Sequence, residues 1–114
     1  MNKLAIAVLS TAVMFTSIQA LAKGGWQQPT KISQLIIEGS PAGERIYVQF
    51  VTDFNPDACT GKDTQWKRIF GDTDKGKYLL TTALSAKATG LTVVPLLYGC
   101  DDWGRPMLTG LWVQ

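Results

Sequence analysis

The sequence predicts a mainly β domain with one helix, its five strands curled into a small barrel in the order β-β-β-α-β-β. Three observations carry that expectation. Residues 45–51 (RIYVQFV) place Ile46, Val48 and Phe50 on one face and Arg45, Tyr47 and Gln49 on the other, the period of a half-buried strand. Residues 75–89 change period, with Leu80, Ala83, Leu84 and Lys87 at the spacing of one helical face. Five short strands cannot bury two faces alone, and one helix cannot cover a large sheet, so a curled sheet plugged by the helix satisfies both.

The elements follow in chain order. Lys3 precedes an apolar run from Leu4 to Phe15, and Ala20-Leu21-Ala22 supplies small residues at a cleavage site. This is the layout of a secretory leader, with cleavage expected between Ala22 and Lys23. A retained anchor is the rival reading, but the run is well short of the roughly twenty residues that cross a bilayer. Residues 23–30 read as an irregular arm and 31–38 (KISQLIIE) as a first strand. Turn residues 39–43 join it to the strand at 45–51 in a hairpin with a loop of about five or six residues. A loop over 52–62 holds Cys59. Residues 64–70 (TQWKRIF) form a third strand, which Gly71 ends.

Asp72, Thr73 and Asp74 are candidate caps for the helix, and Gly90 sits where a left-handed residue closes one. Gly76 weakens the first turn only. Residues 91–97 (LTVVPLL) read as a fourth strand, and Pro95 puts it at a sheet edge or beside a bulge. A second loop over 98–106 holds Cys100. Residues 107–114 (MLTGLWVQ) close the chain as a fifth strand, with a bend at Gly110. This connectivity is that of the OB-fold.

Without its leader the chain is a single domain of residues 23–114. Of the 11 Lys and Arg only Lys3 is lost with the leader, so against nine Asp and Glu the formal charge becomes +1. No basic tail or stripe exists, which argues against a nucleic-acid ligand. No second apolar stretch is long enough to span a membrane. Cys59 and Cys100 are the only cysteines, and an exported chain favours joining them. Closing that loop contributes roughly 3–4 kcal/mol on the chain-entropy account. Free thiols or a bridge between chains are the alternatives.

The absence of His removes most acid–base and nucleophilic machinery, and no cofactor motif is found. Asp101 with Asp102, or Asp72 with Asp74, could pair as carboxylates, but adjacent loop acids more often make turns and caps. Residues 72–76 also fail as a calcium loop, with Gly76 at the fifth position and Ala83 at the twelfth. An enzyme is not expected.

The aromatics say more. Trp66 and Trp112 lie inside expected strands and read as core, whereas Trp26 and Trp103 lie in polar segments. Trp103 is bracketed by Asp101, Asp102, Gly104 and Arg105, a set that can stack on a sugar face and bind its hydroxyls. Packing over the disulfide, or an oligomer interface, are the competing roles for Trp103.

The helix and its exit, from Gly76-Lys77-Tyr78-Leu79-Leu80 through Thr89-Gly90-Leu91-Thr92-Val93-Val94, carry a family resemblance. With a Trp soon after the leader and a Cys between the second and third strands, the chain resembles small exported OB-fold proteins related to bacterial toxin B subunits, the subtilase-cytotoxin and pertussis-like group. That resemblance implies a barrel that can assemble as a ring and bind glycans through a Ser and aromatic residues. The resulting expectation is a secreted or periplasmic, non-enzymatic binding module for a glycan, or failing that a partner or inhibitor of another protein. Ser40 and Pro41 in the first hairpin, and Asp101, Asp102, Trp103 and Arg105 in the second loop, are the candidate contacts. The other class of reading sets the Pro95 strand as the docking edge for a protein partner.

Overall fold

The computed structural model describes residues 24–40 and 43–114. The expected leader and its cleavage site lie outside the described residues, as does Pro41. Six strands and one helix are present: β1 (Gly25–Trp26), β2 (Ile32–Ser40), β3 (Gly43–Phe50), β4 (Trp66–Ile69), α1 (Asp74–Thr89), β5 (Val93–Cys100) and β6 (Pro106–Val113). The mainly β, one-helix class is as expected, and the five expected strands and the helix keep their order behind the additional β1.

The five-strand barrel is corrected. All six strands form one sheet, in the order β1-β5-β6-β4-β3-β2, and that sheet is not closed into a barrel. The sixth strand comes from the arm. Gly24 and Gly25, both at positive φ, turn the chain so that Gly25 and Trp26 pair with Leu97 and Leu96. The two ends of the sheet are then consecutive stretches of chain. Thr30 exchanges backbone hydrogen bonds with Val93 of β5, while the next residue, Lys31, accepts one from Val51 just past β3. The sheet therefore curls until its ends meet at residues 30–31, joined by a single bridge rather than by a ladder.

β2 and β3 pair out to Ser40 and Gly43, so the hairpin is tighter than the spacing of turn residues suggested. β4 pairs antiparallel with β3 and parallel with β6, the parallel step being made possible by the helical crossover between them. β5 lies between β1 and β6. Of the two positions expected from Pro95, the sheet edge, and with it the docking edge for a partner, is overturned, while the bulge is found: the proline is buried beside an irregularity in the β5–β6 register. Its carbonyl accepts from Gln27, so the arm covers the strand that proline would otherwise have left at an edge.

That irregularity also re-aims Trp112. Leu97 faces Leu108 and Leu96 faces Gly110, so β6 carries an extra residue, Thr109. An extra residue reverses the alternation beyond it. Leu108 points into the core, but Trp112 points out and is 59% exposed, where core was expected.

The core is formed by the inward residues of the curled sheet, among them Ile46, Val48, Ile69, Val93 and Leu97, under the helix. The helix is capped as the sequence implied. Thr73 Oγ1 accepts from the Gly76 amide, and Gly90 adopts the left-handed conformation and donates to Ala86 and Lys87. Of the expected stripe Ala83 is buried and Leu80 packs against the core, but Leu84 and Lys87 are exposed, and the buried face is Gly76, Leu79, Ala83 and Ala86. Small residues bring the helix close. A Cβ at Gly76 would lie 1.6 Å from the Phe70 carbonyl oxygen, so only glycine fits.

Candidate functional site

Two loops, residues 55–63 and 101–105, are clamped together over the outer face of β3 and β4. The clamp starts with the Cys59–Cys100 disulfide, which joins Cα atoms 5.8 Å apart and selects the internal pairing among the alternatives. The Asn55 side chain brackets Cys59, its Oδ1 accepting from the Cys59 amide at 2.8 Å and its Nδ2 donating to the Cys59 carbonyl at 3.0 Å. Asp57 accepts from the Gly99 amide at 2.6 Å. Gly61 donates to the Gly104 carbonyl at 2.9 Å, and the two backbones approach so closely that a Cβ at Gly61 would lie 2.0 Å from the Trp103 carbonyl oxygen. Arg105 Nε donates to the Lys62 carbonyl at 3.0 Å. Ala58 and Asp63 both adopt positive φ in this loop. A left-handed alanine costs about 1 kcal/mol, which the surrounding bonds offset.

Inside the 101–105 loop Asp101 is the organiser. Its fully buried carboxylate accepts from the Trp103 and Arg105 amides at 2.9 and 2.8 Å, which turns the chain and projects Trp103 outward. Asp102 reaches back to β3. Its two oxygens accept from Arg45 Nη1 and Nη2 at 3.2 and 3.0 Å. The same guanidinium lies 3.7 Å from the centre of the Trp103 ring. A planar cation on an indole face is an attractive, orienting contact. Asp102 and Arg45 hold each other ionised. Hydrogen bonding to Arg45 keeps the Asp102 carboxyl below the usual range, and Asp102 raises Arg45 above the ordinary arginine value.

Beneath this pair lies Tyr47. It faces outward from β3 opposite Arg68, yet it is 1% exposed because the loop and three arginines cover it. Arg105 stands 4.6 Å above its ring and Arg68 5.8 Å away, with Arg68 also 4.5 Å from Phe70. Arg68 Nη1 is 3.5 Å from both Asp101 and Asp102, long contacts for charged partners. The Tyr47 hydroxyl and Arg68 Nε are buried without a hydrogen-bond partner.

The outer rim of this cluster is an open pocket of about 390 Å³, lined by Lys62, Asp63, Trp103 and Arg105. That is the lower end of the size range of small-ligand sites. It offers one half-exposed indole, an exposed carboxylate acceptor, and cationic donors on either side. Stacking with directional hydrogen bonds is the chemistry such a set performs. Among the described residues no three metal-ligating side chains come together. Of the acids of the calcium-like segment, Asp74 stands in the first turn of the helix behind the Thr73 cap.

The structure brings Asp102, Trp103 and Arg105 together at the surface and ties them to Cys59 and Cys100. Asp101 belongs to the same loop, but its carboxylate is turned inward rather than toward a ligand. Ser40 stands at the far end of β2, past the Glu38–Arg45 pair, and its side chain lies outside the described residues. Arg45, Tyr47, Lys62, Asp63 and Arg68 are members that the sequence did not single out for the site. The alternation that set Arg45 and Tyr47 on the outward face of β3 was the available signal. What it lacked was the loop crossing above them. No protein-family model, curated protein or solved structure matches this chain.

Proposed function

We propose that this chain is an exported, non-enzymatic saccharide-binding module built on an OB-like curled sheet. The observation that carries the reading is Trp103. Its indole is 49% exposed, yet it is fixed from behind by Arg45 and from below by a loop cross-linked to the rest of the domain. Exposing a large aromatic is unfavourable, and rigidly presenting one suits a flat partner such as a pyranose ring. Asp63, Lys62 and Arg105 stand at the rim of the same pocket, where ring hydroxyls would meet an acceptor and donors. The parallel β4–β6 step across the helix, and the meeting of the sheet ends at residues 30–31, support the OB-like assignment. Export is supported by the disulfide. No helix among the described residues is long and apolar enough to cross a membrane.

The test is a glycan array probed with protein recovered after export of the full chain. Wild type gives signal on a defined subset of saccharides. Trp103→Ala lowers the affinity for that subset by roughly tenfold or more, the worth of one stacked aromatic. No saccharide above background, or equal binding by Trp103→Ala, would overturn the reading.

A further inference from the structure

A second surface lies away from this site, on the outer face of β1, β5 and β6. The Thr109 bulge turns Trp112 outward there, next to Gly110 on the same face. Gly110 is bare for a reason. A Cβ at that position would meet Leu96 at 3.1 Å and the Trp26 ring at 3.4 Å, so Trp26 lies down over the glycine. Tyr98 continues the surface beside Gly24, at the start of β1. On the other side of β6, Gly110 and Leu111 share a groove with Tyr78 of the helix. Trp26, Tyr78, Tyr98 and Trp112 are exposed by 56, 73, 55 and 59%.

We infer that this face is a self-association surface, and that its occupant is the same face of a second copy of the chain. Area is the first argument. Trp26, Tyr98 and Trp112 at those exposures present roughly 300–400 Å² of mostly apolar surface, and Tyr78 in the adjoining groove adds to it. A stable dimer buries about 800 Å² per partner, of which about 56–65% is apolar, and so needs nearly the same amount. Polar chemistry is the second. The Thr109 hydroxyl donates to the Leu96 carbonyl and the Gln27 amide to the Gly25 carbonyl, so these groups are turned to their own backbone rather than offered to sugar hydroxyls. Lys75 is the one cation lining the groove, too little basic charge to favour a lipid surface.

Symmetry is the third argument. Among the described residues the remaining exposed large hydrophobics, such as Ile37, Val51 and Leu84, are scattered over β2, the loop after β3 and the helix. The aromatics among them, Phe70 and Trp103, carry Arg68 and Arg45 on their rings and so present a cationic surface rather than a second apolar face to receive this one head to tail, whereas an isologous contact requires only that the face match itself. A formal charge of +1 once the leader is removed puts little electrostatic repulsion in the way.

The experiment is sedimentation velocity on exported protein from about 1 to 100 µM, for wild type, Trp112→Glu, Trp26→Ser and Trp103→Ala. Wild type sediments at twice the chain mass within that range, and Trp112→Glu and Trp26→Ser shift the midpoint by tenfold or more toward monomer. Trp103→Ala leaves it unmoved, so this inference and the saccharide reading fail separately. Far-ultraviolet circular dichroism and an intact disulfide check that the variants fold. If Trp112→Glu misfolds, acrylamide quenching of wild-type indoles replaces it, and protection rising with concentration is required. A monomer throughout, a larger ring, or a dimer that Trp112→Glu and Trp26→Ser leave intact overturns the proposal. Monomeric wild type captured by phosphatidylcholine vesicles overturns it in favour of a membrane surface.

Discussion

Lys67 shows how far a single residue can depart from what its type suggests. It sits on β4 opposite Val48 and therefore faces the core, with no side-chain exposure at all. Its ammonium reaches the end of the curled sheet, where it donates to Asp53 at 3.1 Å and to the Thr64 carbonyl. Burial pushes its pKa below the ordinary lysine value, and Asp53 opposes that shift only in part. The folded protein then releases this proton at lower pH than the unfolded chain does. In the window between the two values the unfolded state binds more protons, so stability rises with pH there. Lys67→Met keeps the volume and removes the charge, leaving an exposed Asp53 with water. Its expected effect is a gain of about 1–2 kcal/mol in urea unfolding at pH 7, since buried ion pairs are often outdone by apolar isosteres. That gain shrinks as pH climbs through the lysine range, because only wild type is relieved. A loss of stability at pH 7, or a gain independent of pH, would contradict this account of Lys67. Nothing in the alternation of 64–70 marked Lys67 as inward, since an inward lysine is legible only once the β3–β4 register is known.

Among the elements, the helix was the most legible and also the most instructive where it differed. Its limits follow from Thr73 and Gly90, local signals that need no tertiary context. Its buried face is rotated from the expected one, keeping Ala83 but replacing Leu84 and Lys87 by Gly76, Leu79 and Ala86. Packing here is decided by closeness rather than by apolar bulk. The consequence is testable at Gly76, where propensity and packing oppose each other. Alanine is the better helix former by about 1 kcal/mol. Yet its Cβ would overlap the Phe70 carbonyl oxygen. Gly76→Ala therefore lowers the thermal midpoint and is destabilising by several kcal/mol, in the range of severe overpacking. A neutral or stabilising Gly76→Ala in a circular dichroism melt would show that α1 can ride away from β4. Strands were legible in proportion to their alternation. β3 was clear. β6 was placed correctly, but a one-residue bulge is silent in sequence and exchanged the inside and outside of Trp112. β1 was missed because two residues are too few to show a period, and its pairing depends on glycines whose positive φ is visible only in the fold.

For the whole molecule, the covalent link and the site are one construction. The disulfide, the Gly61–Gly104 contact and the Asp101 turn fix the loops that carry Asp63, Trp103 and Arg105. Replacing Cys59 and Cys100 together by Ser should cost about 3–4 kcal/mol of stability in denaturant unfolding. It should weaken ligand binding further than the loss of folded protein explains, because the loop entropy then opposes each binding event. Equal binding per folded molecule would mean that the hydrogen bonds alone hold the site. The pairing of Cys59 with Cys100 and the aromatic loop were readable in advance, since both are local or follow from arithmetic. The arginines were not, because Arg45 and Arg68 reach Asp102 in the Trp103 loop only through a sheet register and a loop crossing that span more than thirty residues. The most direct test of the central claim follows the four indole N–H signals of ¹⁵N-labelled exported protein during titration with a saccharide taken from the array. The Trp103 signal is expected to move and saturate while those of Trp26, Trp66 and Trp112 hold still. Movement confined to Trp26 and Trp112, or no movement at all, would contradict that claim.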